Sequence, residues 1–173
     1  MNMNCRLDRI DLRILSQLQR RGRITNVELA ETVGLSPSPC FMRVKRLERA
    51  GFIVGYGAQV QLEKLGDVQI VYTKITLVDH GLKDFATFLS AVSRVDEIVE
   101  CHLASGGCDY LLKFVTRSVN HYQSVMEGLL EREIGIEKFS SYVIIKSAFI
   151  KRYDPLELLF APCEPSGDSP SGA

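Results

Sequence analysis

The sequence lacks the usual marks of a catalytic centre. Its three histidines, His80, His102 and His121, are scattered, and no H-E-x-x-H spacing, nucleophile–base pair or phosphate-cradling glycine loop is present. The five cysteines (Cys5, Cys40, Cys101, Cys108 and Cys163) are odd in number and show no C-x-x-C or paired Cys/His spacing, so structural zinc and redox chemistry find no support. Cys40 and Cys101 fall in apolar periodic segments and read as small core residues. No apolar run approaches the roughly 18 residues needed to cross a bilayer. Met1-Asn2-Met3-Asn4-Cys5-Arg6 leads straight into charged sequence, so no signal peptide is expected. Collagen, coiled-coil, membrane and secreted disulfide-rich classes are excluded. The expectation is a soluble, cytoplasmic protein that is not an enzyme and needs no metal or cofactor.

What is present suits one ordinary domain or two small ones: 173 residues, 46% hydrophobic and 24% charged. There is no net charge, with 21 Lys/Arg against 21 Asp/Glu, but the charges are unevenly placed. Residues 1–50 hold ten Lys/Arg against five acids, and the remainder holds eleven against sixteen. A basic third joined to an acidic two-thirds suggests a polyanion-binding module carried by something else.

Three short helices are expected in the basic third. Asp8 is a good N-cap, Leu7 and Leu12 hold staple positions, and Ile10, Ile14, Leu15 and Leu18 share one face. Gly22 ends that helix. Thr25 and Glu28 have capping-box spacing and open a second helix through Leu29, Ala30 and Val33. Gly34-Leu35 turns the chain. Ser36 is expected to cap a third helix with Pro37 in its first position, and Gly51 closes it. Helix, tight turn and helix is the helix-turn-helix arrangement. At 100° per residue, Val44 and Leu47 lie within about 40° of Cys40, making an inward stripe. Ser38, Met42, Lys45, Arg46 and Arg49 cluster opposite, with Arg43 at the flank. Such a face carries donors long enough for phosphates or guanine edges in a major groove. Residues 52–60 read as extended chain, either a wing strand or a linker that pairs with another subunit.

Beyond Gly66 the pattern alternates. Residues 68–78, 95–104, 109–116 and 136–150 are strand-like, the middle two joined by a turn at Ser105-Gly106-Gly107-Cys108. Leu82, Phe85, Ala86 and Leu89, then Tyr122, Val125, Met126 and Leu129, repeat at helical spacing. The order β-α-β-β-α-β is ferredoxin-like. Several strands are apolar on both sides, so the sheet face away from the helices should pack on a second copy of the chain. The fold class expected is α+β, a winged helix-turn-helix domain (1–52), an extended linker (53–65) and a ferredoxin-like, RAM/ACT-like domain (66–153). A tail (154–173) ends in thirteen residues of which eight are Pro, Ser or Gly, and is expected to be disordered.

Leu7-Asp8-Arg9-Ile10-Asp11 with Ile14-Leu15, Gly34 to Cys40 with Arg43 to Glu48 and Gly51-Phe52-Ile53, and Ser105 to Leu112 together resemble the Lrp/AsnC, or feast/famine, transcriptional regulators. The likeness runs from about Leu7 to Ile150, and the stretch from Cys101 to Lys113 is closest to the leucine-responsive branch. The resemblance agrees with double-stranded DNA as a partner of the basic face, contacted through Ser36, Pro37, Ser38, Met42, Arg43 and Arg46, with Lys45 and Arg49 expected to meet phosphates. It also implies a small effector, usually an amino acid, lying between dimers that assemble toward octamers. The residues so nominated are Leu103, Gly106, Gly107, Asp109, Tyr142, Val143 and Ile144. A carboxylate such as Asp109 can hold an ammonium group and turn amides a carboxylate. Asp109 can equally satisfy the hairpin, Gly106 can serve only the turn, and 142–144 can be strand core. Where Gly107 stands the family often has an acidic or polar residue, which leaves the effector's identity open. The other readings are an enzyme's ligand-sensing regulatory subunit and a sequence-tolerant nucleoid-type DNA-binding protein.

Overall fold

Reciprocal caps start the first two helices. The Asp11 N–H donates to Asp8 Oδ1 (2.8 Å) and the Asp8 N–H to Asp11 Oδ2 (3.0 Å), opening α1, Arg9–Arg20. Thr25 and Glu28 do the same for α2, Asn26–Val33. Gly34 adopts φ 78°, the left-handed turn that glycine accepts without a Cβ penalty, and leads into α3, Pro37–Arg49. Ser36 occupies the N-cap of α3, but its hydroxyl makes no capping bond. The physical reason lies three residues on: Pro39 stands at N3 and has no N–H to offer. The Asn26 side chain instead ties α2 to α3 through the Pro37 carbonyl at 2.8 Å.

The computed structural model describes residues 7–160 and divides into two units. One contains the chain up to Gln59 together with the segment from Phe149 onward; the other is Val60–Ala148. In the first, Ile14, Leu29, Ala30, Val33, Cys40 and Leu47 form the buried core. Residues 54–61 form no helix and pair with no strand among the described residues, so no wing strand forms in a single chain.

The second unit is a four-stranded antiparallel sheet of β1 (Gln69–Leu77), β2 (Ile98–Leu103), β3 (Tyr110–Thr116) and β4 (Ile136–Val143), ordered β2-β3-β1-β4. Helices α4 (Leu82–Val92) and α5 (Val119–Leu130) cover one face. Strict alternation places Val71, Thr73, Ile75 and Leu77 of β1, and Tyr110, Leu112 and Phe114 of β3, in the helix-covered core. The Tyr122 hydroxyl satisfies the buried Thr73 hydroxyl at 2.9 Å and also bonds Ser141.

Two strands are shorter than the pattern predicts. Residues 95–97 lie in the turn before β2, where only the Glu97 carbonyl reaches β3 by accepting the Val115 N–H at 2.8 Å, and β4 stops at Val143 rather than continuing to 150. β4 pairs only with β1; Val143 faces Val71, and after the bond from the Ile144 N–H to the Ile70 carbonyl the partner strand is almost used up. A strand without a ladder partner cannot persist.

The expectation of disorder from 154 is corrected for its first part. A short helix, α6, spans Leu156–Phe160 and packs against α1; residues 161–173 lie outside the described residues. Pro155 starts α6, its carbonyl accepting the Leu158 and Leu159 N–H groups. The Gln19 amide oxygen accepts the Asp154 N–H at 3.0 Å, and the Arg20 guanidinium lies 4.2 Å over the Tyr153 ring. Leu12 and Ser16 share that flank of α1 and are buried, yet both lie outside the core cluster on its opposite side. Deleting residues 154–173 is therefore expected to uncover Leu12 and destabilise the first unit by about 2 kcal/mol. Hydrogen exchange should quicken in α1 and stay unchanged in β1 and β3; unchanged α1 protection would refute the cover.

Candidate nucleic-acid interface and effector site

α3 exposes the face its helical projection suggests: Ser36, Pro37, Ser38, Met42, Arg46 and Arg49 are exposed. Arg49 makes no side-chain hydrogen bond or ion pair among the described residues. Lys45 is half-buried, bonds Glu48 at 2.7 Å and lies 5.7 Å from the Phe41 ring centre. The Lys45 ammonium, with the Tyr56 hydroxyl beside it, holds the Glu48 carboxyl below the usual range.

Arg43 and Arg46 depart from the expectation of a free basic face. Arg43 Nη1 lies 2.6 Å from Asp8 Oδ2 and 2.9 Å from Asp11 Oδ1. Arg46 Nη2 lies 2.5 Å from Asp11 Oδ2. Burial pushes the Asp8 carboxyl up, but the Asp11 N–H and the Arg43 guanidinium outweigh it and hold it below the ordinary aspartate value. The bond to Asp8 likewise raises Arg43. Asp8 was legible as a cap, but neither Asp8 nor Asp11 as a partner of α3. A signal was available: Asp11 stands within the apolar stripe Leu7, Ile14, Leu15 and Leu18, where a carboxylate needs a buried partner. Cys40 lies in the core, and burial pushes its thiol up, away from reactivity.

The residues nominated for an effector do not meet within one chain. Leu103, 70% exposed, ends β2, and Gly106 (φ 129°) and Gly107 follow in an exposed turn. Tyr142 and Val143 are exposed on β4, with Ile144 half-buried just beyond. β2 and β4 are opposite edges of the sheet. Leu103 is level with Ile75 of β1 and Val143 with Val71. Three strand spacings across and four residues along amount to about 20 Å. The Asp109 carboxylate accepts the Leu77 N–H at 2.8 Å and has His80 Nε2 at 3.1 Å. It thus ties the start of β3 to the end of β1, a contact that neither the ligand reading nor the hairpin reading of Asp109 anticipated. His80 was not anticipated there. Two open depressions in this unit, of about 480 and 580 Å³, are lined by none of the nominated residues.

Residues 7–54 match a winged helix-turn-helix DNA-binding family, and residues 70–153 match the Lrp/AsnC ligand binding domain. The leucine-responsive regulatory protein of Klebsiella pneumoniae is 47% identical over 141 residues, which cover 81% of this chain and 85% of that protein. The chain belongs to the Lrp/AsnC family. The transcriptional regulatory protein DoeX of Halomonas elongata is 42% identical, over 82% of this chain and 90% of its own. A transcriptional regulator of Neisseria meningitidis, solved as a complex with L-methionine, superposes with a TM-score of 0.82 at 31% identity, covering 89% of this chain and 99% of that one. This Lrp/AsnC protein is therefore a DNA-binding transcriptional regulator with a small-ligand domain, and the expected α+β class holds. Among the described residues no helix is long and apolar enough to cross a membrane, and no cluster of His, Cys, Asp and Glu could hold a metal.

Proposed function

We propose that this Lrp/AsnC regulator acts in the cytoplasm as a homo-oligomer built from dimers, with octamers as four dimers, and binds an amino acid between copies. The observation that carries the reading is the separation of its two candidate clusters on opposite edges of one sheet. A ligand a few ångströms across touches both only if the hairpin turn of one copy meets the β4 end of another. Exposed Phe52 and Tyr56, with Val54 98% exposed between them on an unpaired segment, favour a covering second copy. The relatives' leucine response and the neighbour's bound L-methionine favour an apolar amino acid as effector. In each copy α3 enters the major groove through Ser36, Ser38, Met42 and Arg49, with Pro37 opening the helix and Lys45 at the margin.

Effector occupancy at an assembly interface couples to DNA affinity or to oligomer size. The test titrates each of the standard amino acids into a mobility-shift assay on the DNA upstream of the protein's own gene, with sedimentation velocity in parallel. At least one apolar amino acid should shift affinity or sedimentation. No response to any of them would overturn the effector assignment.

A further inference from the structure

Asp11 is fully buried, with 0% of its surface accessible, although it is a carboxylate on the first helix of a DNA-binding unit. Burying an unpaired carboxylate is prohibitive, and here every partner comes from a specific place. Its oxygens accept the Asp8 N–H at 3.0 Å, Arg43 Nη1 at 2.9 Å and Arg46 Nη2 at 2.5 Å. Two of those donors stand on α3, one turn apart. Arg43 is held a second time by Asp8, whose own Oδ1 accepts the Asp11 N–H. The cap of α1 and the two arginines of α3 thus form one bonded network among the described residues.

We infer that Asp11 is a positioning residue for DNA recognition, acting through Arg43 and Arg46. The inference rests on α3 being the recognition helix. Two guanidiniums, each giving one nitrogen to a different oxygen of one carboxylate, fix both the rotation of α3 about its axis and its approach to α1, which a single contact would not do. The consequence concerns the arginines themselves. Their charge is answered inside the protein, so they set which side chains α3 presents and contribute little to phosphate neutralisation. Base-edge donors need placing to within about half an ångström, whereas phosphate attraction tolerates misplacement. Loosening the network should therefore harm sequence discrimination while strengthening indiscriminate binding, because freed guanidiniums become available to the backbone.

The experiment uses the full-length protein, a duplex enriched by the wild type from a random-sequence pool, and a scrambled duplex of equal composition. Asp11→Asn keeps the volume and removes the charge. Its ratio of preferred to scrambled affinity should fall about tenfold, with affinity for the scrambled duplex held or raised and a steeper salt slope. Arg46→Ala leaves Arg43 on Asp11 and serves if Asp11→Asn fails to fold. It should lower the same ratio and leave the salt slope unchanged. A slope shallower by about 0.9 per protomer in Arg46→Ala would mean that Arg46 neutralises a phosphate, overturning the inference. So would equal loss of both affinities in Asp11→Asn, the mark of a merely structural role. A wild type that enriches no duplex sinks the DNA reading and this inference with it; wild-type binding with an unchanged ratio in both variants sinks this inference alone.

Discussion

Replacing Arg49 with alanine should flatten the salt dependence of DNA binding by about 1.8 in the slope of log affinity against log salt. That figure is about 0.9 for one phosphate contact, taken once per protomer of a dimer. Arg49 stands in the last turn of α3, exposed and without an internal partner among the described residues. Lys45, paired with Glu48, should change the slope much less when replaced. In a dimer, losing two free cations at low salt should weaken binding about tenfold or more, with little effect on stability because the side chain is exposed. Anisotropy titrations at four or five salt concentrations decide it. An unchanged slope would remove Arg49 from the interface and leave Ser36, Ser38 and Met42 as its proposed polar and apolar contacts.

Phe114→Ala should cost the ligand-binding unit about 3–5 kcal/mol, a large part of the roughly 5–15 kcal/mol that stabilises an ordinary domain. Phe114 is 0% exposed at the centre of β3, level with Val71 on one side and Ile98 on the other. Its ring meets Tyr122 edge-on, 5.1 Å between centroids. That contact orients the hydroxyl bonded to Thr73 and Ser141, so truncation loosens β1, α5 and β4 together. Urea melts followed by circular dichroism should show the earlier transition of two, with α1–α3 amides keeping their protection. A loss below about 1 kcal/mol would mean the core collapses around the gap.

Features whose causes lie within a few residues were readable in advance. The Asp8 and Thr25 caps, the Gly34 turn and the Pro37 start depend on neighbours three or four positions away, and each stands where the pattern put it. The exception is Ser36, silenced by Pro39 three residues on. The β-α-β-β-α-β order was readable because alternation and helical periodicity are local too. Strand ends were not: β4 stops where β1 runs out, which depends on a register between residues some seventy apart. The same holds for α6, whose small apolar run is ordered by packing on α1.

For the candidate sites, residue chemistry alone determined that α3 carries the cations, whereas the glycine turn and last strand were nominated by the family resemblance. Only tertiary structure decided which of these are available. Side-chain partners lie across the fold, and charge is neutralised by whatever is brought nearest in space. Asp11 claims Arg43 and Arg46 from thirty-odd residues away, Leu77 and His80 claim Asp109, and sheet order separates Leu103 from Val143.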